Sequence, residues 1–157
     1  MGGMGLGLAT MVLICDQVSK GVFLKLGLME GMSRPLFGPF KLTLVWNQGI
    51  SFSLMSAQTD PARWGLTLFA LAVAVFLGSL LRKADHGLFA TGLGLVMGGA
   101  VGNAVDRIRF GAVVDFFDAT ALMFPWIFNL ADSAISIGVV FLLLDSMHHK
   151  PGAPVAD

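Results

Sequence analysis

WGLTLFALAVAVFLGSLL, residues 64–81, carries no charged residue and only two hydroxyls. A helix needs about 20 predominantly apolar residues to cross a ~30 Å hydrocarbon core, and this stretch meets that need almost alone. Three further stretches do so with interruptions. Residues 4–28 contain Asp16 and Lys20, residues 87–105 are glycine-rich, and residues 125–144 contain one charge, Asp132. The whole chain of 157 residues is 55% hydrophobic and only 13% charged, with mean hydropathy +0.79. Soluble domains carry roughly 25% charged residues, so half the usual solvating charge is missing. The reading is an all-α membrane protein: one domain over 1–150, four transmembrane helices, and a tail at 151–157 read as disordered.

The connections differ in kind. Residues 82–86 make a short polar turn. The first long linker contains Lys41-Leu42-Thr43-Leu44-Val45-Trp46, which alternates polar and apolar residues as a half-buried strand does. A small β-element over about 34–54, outside the membrane between spans 1 and 2, is expected. The second, 106–124, mixes charge with large apolar residues and reads as an interfacial or partly inserted segment. Four spans place both termini on one side. Trp46, Trp64 and Trp126 all fall at the long-linker end, as an aromatic belt would. The basic residues do not settle orientation: Lys25, Arg34, Lys41, Arg63, Arg107 and Arg109 lie at the long-linker end, against Arg82, Lys83 and Lys150. Read naively, that would put the long linkers in the cytoplasm.

Several classes drop out. Net charge is zero with no basic block, so nothing points to nucleic acid. The single cysteine, Cys15, excludes an internal disulfide framework and a multi-cysteine metal site. His86, His148 and His149 read as solvated loop residues. The apolar start lacks the cationic n-region of a cleavable leader and reads as a retained first span.

Ionisable groups within spans cost roughly 2.5–3.5 kcal/mol each on insertion scales, so a role is their default reading. Asp16 and Lys20 share one helix face and can neutralise each other; they read as a structural pair or as substrate contacts. Asn103, Asp106 and Arg107 share a face at the end of the third span, where Gly94, Gly98 and Gly102 form a packing stripe. Asp115, flanked by Val114 and Phe116, is expected to hold its proton through desolvation. Asn129 and Asp132 lie three apart on the fourth span. Asp115 and Asp132, on consecutive elements near one membrane surface, could share a proton and split the roles of acid and base on a water. That chemistry needs no metal and no cofactor. On spacing alone, a carboxylate-dyad hydrolase, a proton- or ion-coupled transporter or channel subunit, and a structural subunit all stay open.

Four motifs taken in order narrow the choice. Asp16-Gln17-Val18-Ser19-Lys20, Asn47-Gln48-Gly49-Ile50-Ser51-Phe52, the block from Gly98 to Asp118, and Phe128-Asn129-Leu130-Ala131-Asp132 resemble the motifs of lipoprotein signal peptidases, the type II signal peptidases of bacteria. The resemblance covers nearly the whole chain. It implies an aspartic endopeptidase of the bacterial cytoplasmic (inner) membrane, with both termini cytoplasmic and the site near the outer leaflet beneath a small β-cradle. The enzyme would cut diacylglyceryl-modified prolipoproteins before the lipidated cysteine, working as a monomer among membrane lipids. The resemblance makes Asp115 and Asp132 catalytic. It makes Asn47, Asn103, Arg107 and Asn129 substrate-binding, and Asp16, Lys20 and Asp106 supports of the site. Asp118 is the rival carboxylate. Two departures stand out: Ser51 precedes Phe52 where the family often has alanine, and basic residues are missing ahead of the first span.

Overall fold

The computed structural model of the chain describes residues 1–49, 60–122 and 126–148. It has four helices long and apolar enough to cross a membrane: α1 (Gly2–Leu24), α2 (Asp60–Leu81), α3 (Gly87–Phe110) and α4 (Leu130–His148). Four strands, β1 (Ser33–Phe37), β2 (Phe40–Asn47), β3 (Val113–Asp118) and β4 (Ile127–Phe128), form one antiparallel sheet in that order. The all-α membrane class with a small β-element is as expected.

Several boundaries differ from those expected, α3 among them, which runs on to Phe110 rather than ending near 105. α1 stops at Leu24 rather than near 28, and Gly27 at φ 66° turns the chain away beyond it. α4 starts at Leu130 rather than near 125, because Ile127–Phe128 pairs with Phe117 and Asp118 as an edge strand. The second linker is not merely interfacial: it supplies β3, the strand between β2 and β4. β3 is rich in Val and Phe and buried on both faces, so it shows no alternation by which to be recognised. Gly111, at φ 80° and donating its N–H to the Arg107 carbonyl, ends α3 and turns the chain into that strand. The part of the β-element beyond residue 49, including Ser51 and Phe52, and the tail lie outside the described residues.

α3 is the axis of the bundle. Of its span 61% is buried, against 28% or less for each of the others. Inside a bilayer no hydrophobic force drives helices together, so association depends on close backbone approach. The glycine stripe provides it: a Cβ at Gly98 would lie 2.5 Å from the Ala9 carbonyl oxygen, and one at Gly102 would lie 2.7 Å from Asp16 Oδ2. A second stripe faces α4, where a Cβ at Gly99 would lie 2.5 Å from the Ala131 carbonyl oxygen. The sheet is anchored to the bundle by Phe23, Leu44, Val114 and Phe116, with the Phe23 and Phe116 rings stacked at 4.8 Å. Large apolar residues such as Leu68, Phe69, Val75 and Phe76 point outward from α2, as lipid contact demands. At the opposite end His86 is not a free loop residue. Its Nδ1 lies 2.9 Å from the buried carboxylate of Asp145, tying the start of α3 to the end of α4.

Candidate active site

Asp132 gets its position from the way α4 begins. Asn129 accepts the Asp132 N–H on Oδ1 at 2.9 Å, and its own N–H donates to Asp132 Oδ2 at 3.3 Å. This is a reciprocal capping box with Asn as N-cap and Asp at the third helical position. It places a carboxylate at the positive end of the helix dipole. The N–H between them, that of Ala131, donates to Asp16 Oδ1 at 3.0 Å.

Asp115 gets its position from β3. Val114 and Phe116 face the apolar cluster at the end of α1, so strand alternation turns Asp115 to the opposite face. Asn47 on β2 lies on that same face and donates Nδ2–H to Asp115 Oδ2 at 2.9 Å. Asn129 Nδ2 donates to Asp115 Oδ1 at 2.7 Å. Asn103 Nδ2 donates to Asp132 Oδ1 at 2.8 Å, while its Oδ1 accepts from Lys20 and Asn129. Each of the four carboxylate oxygens therefore has one amide N–H on it. Both carboxylates line a cleft of about 910 Å³ between β2 and α4. Burial and the neighbouring charge of Asp132 push the Asp115 carboxyl up to about 7, against the opposing pull of the Asn47 and Asn129 hydrogen bonds.

Beneath the cleft Lys20 Nζ sits 2.8 Å from Asp16 Oδ2 and 2.7 Å from Asp106 Oδ2, all three fully buried. Asp106 Oδ2 also accepts the Val114 N–H at 3.1 Å. Each of these carboxylates thus grips the amide of the residue before a cleft aspartate, Ala131 before Asp132 and Val114 before Asp115. Neither Asp16 nor Lys20 lines the cleft. Gln17, which sequence reading passed over, joins the two halves: its Nε2 donates to Asp106 Oδ1 at 2.9 Å and lies 3.2 Å from both Asp16 Oδ2 and the Gly102 carbonyl. Its place one residue after Asp16 carried no periodic signal. Arg107 folds back to its own helix, donating to the Asn103 carbonyl at 3.4 Å, and lies within electrostatic reach of Asp132, Asp106 and Asp115.

Asp118 stands apart. Burial pushes its carboxyl up, but donors from Thr120 and Thr43 outweigh that and hold it below the usual carboxylate range. Thr43 Oγ1 and Thr120 Oγ1 each donate at 2.6 Å, and the Thr120 N–H at 2.9 Å. It does not line the cleft.

Fold and site together describe a four-span membrane protein with two carboxylates in one cleft. The family profile described as Signal peptidase (SPase) II matches residues 8–148. Lipoprotein signal peptidases of Caulobacter vibrioides and Methylorubrum extorquens are 46% and 42% identical to the chain. The first alignment covers 92% of this chain and 87% of its relative, the second 96% and 88%. A solved structure described as a bacterial membrane enzyme superposes with TM-score 0.80 at 26% identity, covering 98% of this chain and 95% of that one. The chain belongs to the signal peptidase II family, and is an aspartic endopeptidase and multi-pass protein of the bacterial inner membrane.

Proposed function

We propose that the chain removes the signal peptide from diacylglyceryl-modified prolipoproteins, cutting before the lipidated cysteine with Asp115 and Asp132 as its acid–base pair. Family membership carries the coarser part, signal-peptide removal from prolipoproteins. The finer part rests on one observation: two carboxylates line a single cleft, and every one of their oxygens is held by an amide donor. Water held between the pair loses a proton to the ionised carboxylate, Asp132, and its oxygen attacks the scissile carbonyl carbon. The carbonyl oxygen takes the proton of Asp115. Collapse of the diol gives a hydroxyl proton back to Asp115 as the C–N bond breaks, and the proton held by Asp132 passes to the departing cysteine amine. Asn47, Asn103 and Asn129 hold the carboxylates, Asn47 also meets the substrate at the cleft wall, and Arg107 beside Asn103 is the further substrate-binding group. Lys20, Asp16 and Asp106 hold the segments that carry the pair.

The proposed orientation puts the sheet and cleft at the outer leaflet and both termini in the cytoplasm. Trp46, Trp64 and Trp126 at the sheet end support it. The opposing charge count weakens once Arg107 and Arg109 are seen as site groups: Arg107 turns back onto Asn103, and Arg109 donates to Gln17 Oε1 at 3.3 Å. The protein is proposed to act as a monomer in contact with membrane lipids. A coupled transporter, open on spacing alone, has no support from the relatives.

Incubating purified protein with precursors bearing or lacking the diacylglyceryl group, and reading products by mass, tests the reading. Cleavage before the modified cysteine, and only there, is expected. Equal cleavage of the unmodified precursor would overturn the lipid requirement, and no cleavage of either would overturn the whole reading. The pH profile adds a second check. With the shared proton on Asp115, kcat/KM falls as pH rises through about 7. Asn47 stabilises the ionised form by donating to it, so Asn47→Ala moves this limb to higher pH whatever it does to KM. A limb that stays put in that variant would detach Asn47 from the proton-bearing carboxyl.

A further inference from the structure

A second cavity, about 280 Å³, lies between α2, α3 and α4 and shares no lining residue with the cleft. Its walls are Phe69, Ala70, Val73, Val96, Ala100 and Ile135, and its polar end is formed by Asn103 and Arg107. α2 and α4 each pack on α3 with no extensive contact between them among the described residues, so the slot runs along the α3 surface in the gap they leave. From Arg107 to Val96 it follows roughly 16 Å of helix axis at 1.5 Å per residue. Val73 and Val96 close the other end, packed into the cluster of Leu77 and Leu93.

Slot and cleft each border a neighbour of Asp132. Residues three and four after Asp132 are its neighbours on the helix surface: Ile135 lines the slot, and Ser136 lines the cleft. Asn103, at the polar end of the slot, donates to Asp132 at 2.8 Å. Arg107 Nε, buried at the same end, has no hydrogen-bond partner among the described residues. A narrow apolar slot at hydrocarbon depth, ending on an under-used guanidinium beside the reacting groups, suits an acyl chain attached through an ester carbonyl.

We propose that this slot takes one acyl chain of the substrate's lipid, with Arg107 meeting the ester at its mouth, and that Val73 and Val96 at its floor set the chain length the enzyme prefers. The proposal rests on the function proposed above. A chain moving from bilayer to slot gains nothing from leaving water, because lipid tails are as apolar as the slot walls. Length preference therefore comes from van der Waals contact and overlap.

The test compares kcat/KM for precursors carrying eight-carbon and sixteen-carbon acyl chains. Val96→Phe raises the floor and is expected to lower the sixteen-to-eight ratio by about tenfold. Val96→Ala deepens the slot and is expected to move the optimum to longer chains, giving a change of opposite sign if the Phe variant fails to fold. Variants that cleave both substrates with the wild-type ratio would mean that membrane phospholipid, or only packing, occupies the slot, and would overturn the proposal alone. Wild-type protein that cleaves neither precursor would overturn the function beneath it.

Discussion

Asp115→Asn and Asp132→Asn are each expected to reduce precursor cleavage by about a thousandfold or more, since each removes one half of the acid–base exchange. The two proteins should nonetheless insert and fold. In Asp132→Asn the remaining amide oxygen can still accept the Asn129 N–H that closes the capping box. For Asp115→Asn a stability measurement separates chemistry from folding. The folded protein keeps a proton on Asp115 between the ordinary value of 3.8 and about 7, where the unfolded chain has released it. The raised value means that this group's contribution to stability is full below the ordinary carboxylate range and lost as pH rises through about 7. A neutral amide escapes that loss. At pH 8 the Asn variant should therefore unfold in detergent at a temperature no lower than wild type while being inactive. Full activity in either variant would remove that aspartate from the chemistry.

Lys20→Met is expected to do the reverse, damaging the fold first. Its ammonium forms an ion pair with both Asp16 and Asp106, and all three side chains are fully buried. Removing one member of a buried ion cluster leaves uncompensated charge and costs about 3–5 kcal/mol. The damage should reach the cleft, because the two carboxylates hold the Ala131 and Val114 amides next to the two cleft aspartates. Thermal unfolding and cleavage should both fall in Lys20→Met. Adding Asp16→Asn and Asp106→Asn removes the orphaned charges while leaving an acceptor oxygen for each amide. Most of the lost stability should then return. A triple variant no more stable than Lys20→Met would show that the cluster's charges are not what it contributes.

The expectations that succeeded and those that failed differ in the range of the forces behind them. The uncharged run at 64–81 made α2 legible, because length and hydropathy alone decide whether a helix can span a bilayer. Lys41 to Trp46 announced β2 by alternation, since one face of that strand is apolar and the other is not. β3 gave no such signal, being buried on both faces, and β4 is two residues long and exists only as a partner for β3. His86 looked like a loop residue because its partner, Asp145, lies far along the chain on another helix. Gln17 shows no role of its own in the sequence, because its hydrogen bonds to Asp106 and Gly102 span 89 and 85 residues.

The candidate site divides along the same line. Sequence determined which residues are costly in a membrane and must therefore be accounted for: Asp16, Lys20, Asp106, Arg107, Asp115 and Asp132. It also placed Asn103 beside Arg107 and Asn129 beside Asp132, since helical spacing is local geometry. Only the tertiary structure decided what those residues do to one another. It put Asn47 on one oxygen of Asp115 and Asn129 on the other, and turned Asp118 to Thr43 and Thr120. It made Asp16 and Lys20 a base beneath the cleft instead of part of its wall. Hydropathy and helical periodicity are properties of neighbours in sequence, whereas hydrogen bonds and burial at this site join α1, α3, α4 and two strands that only folding brings within 3 Å.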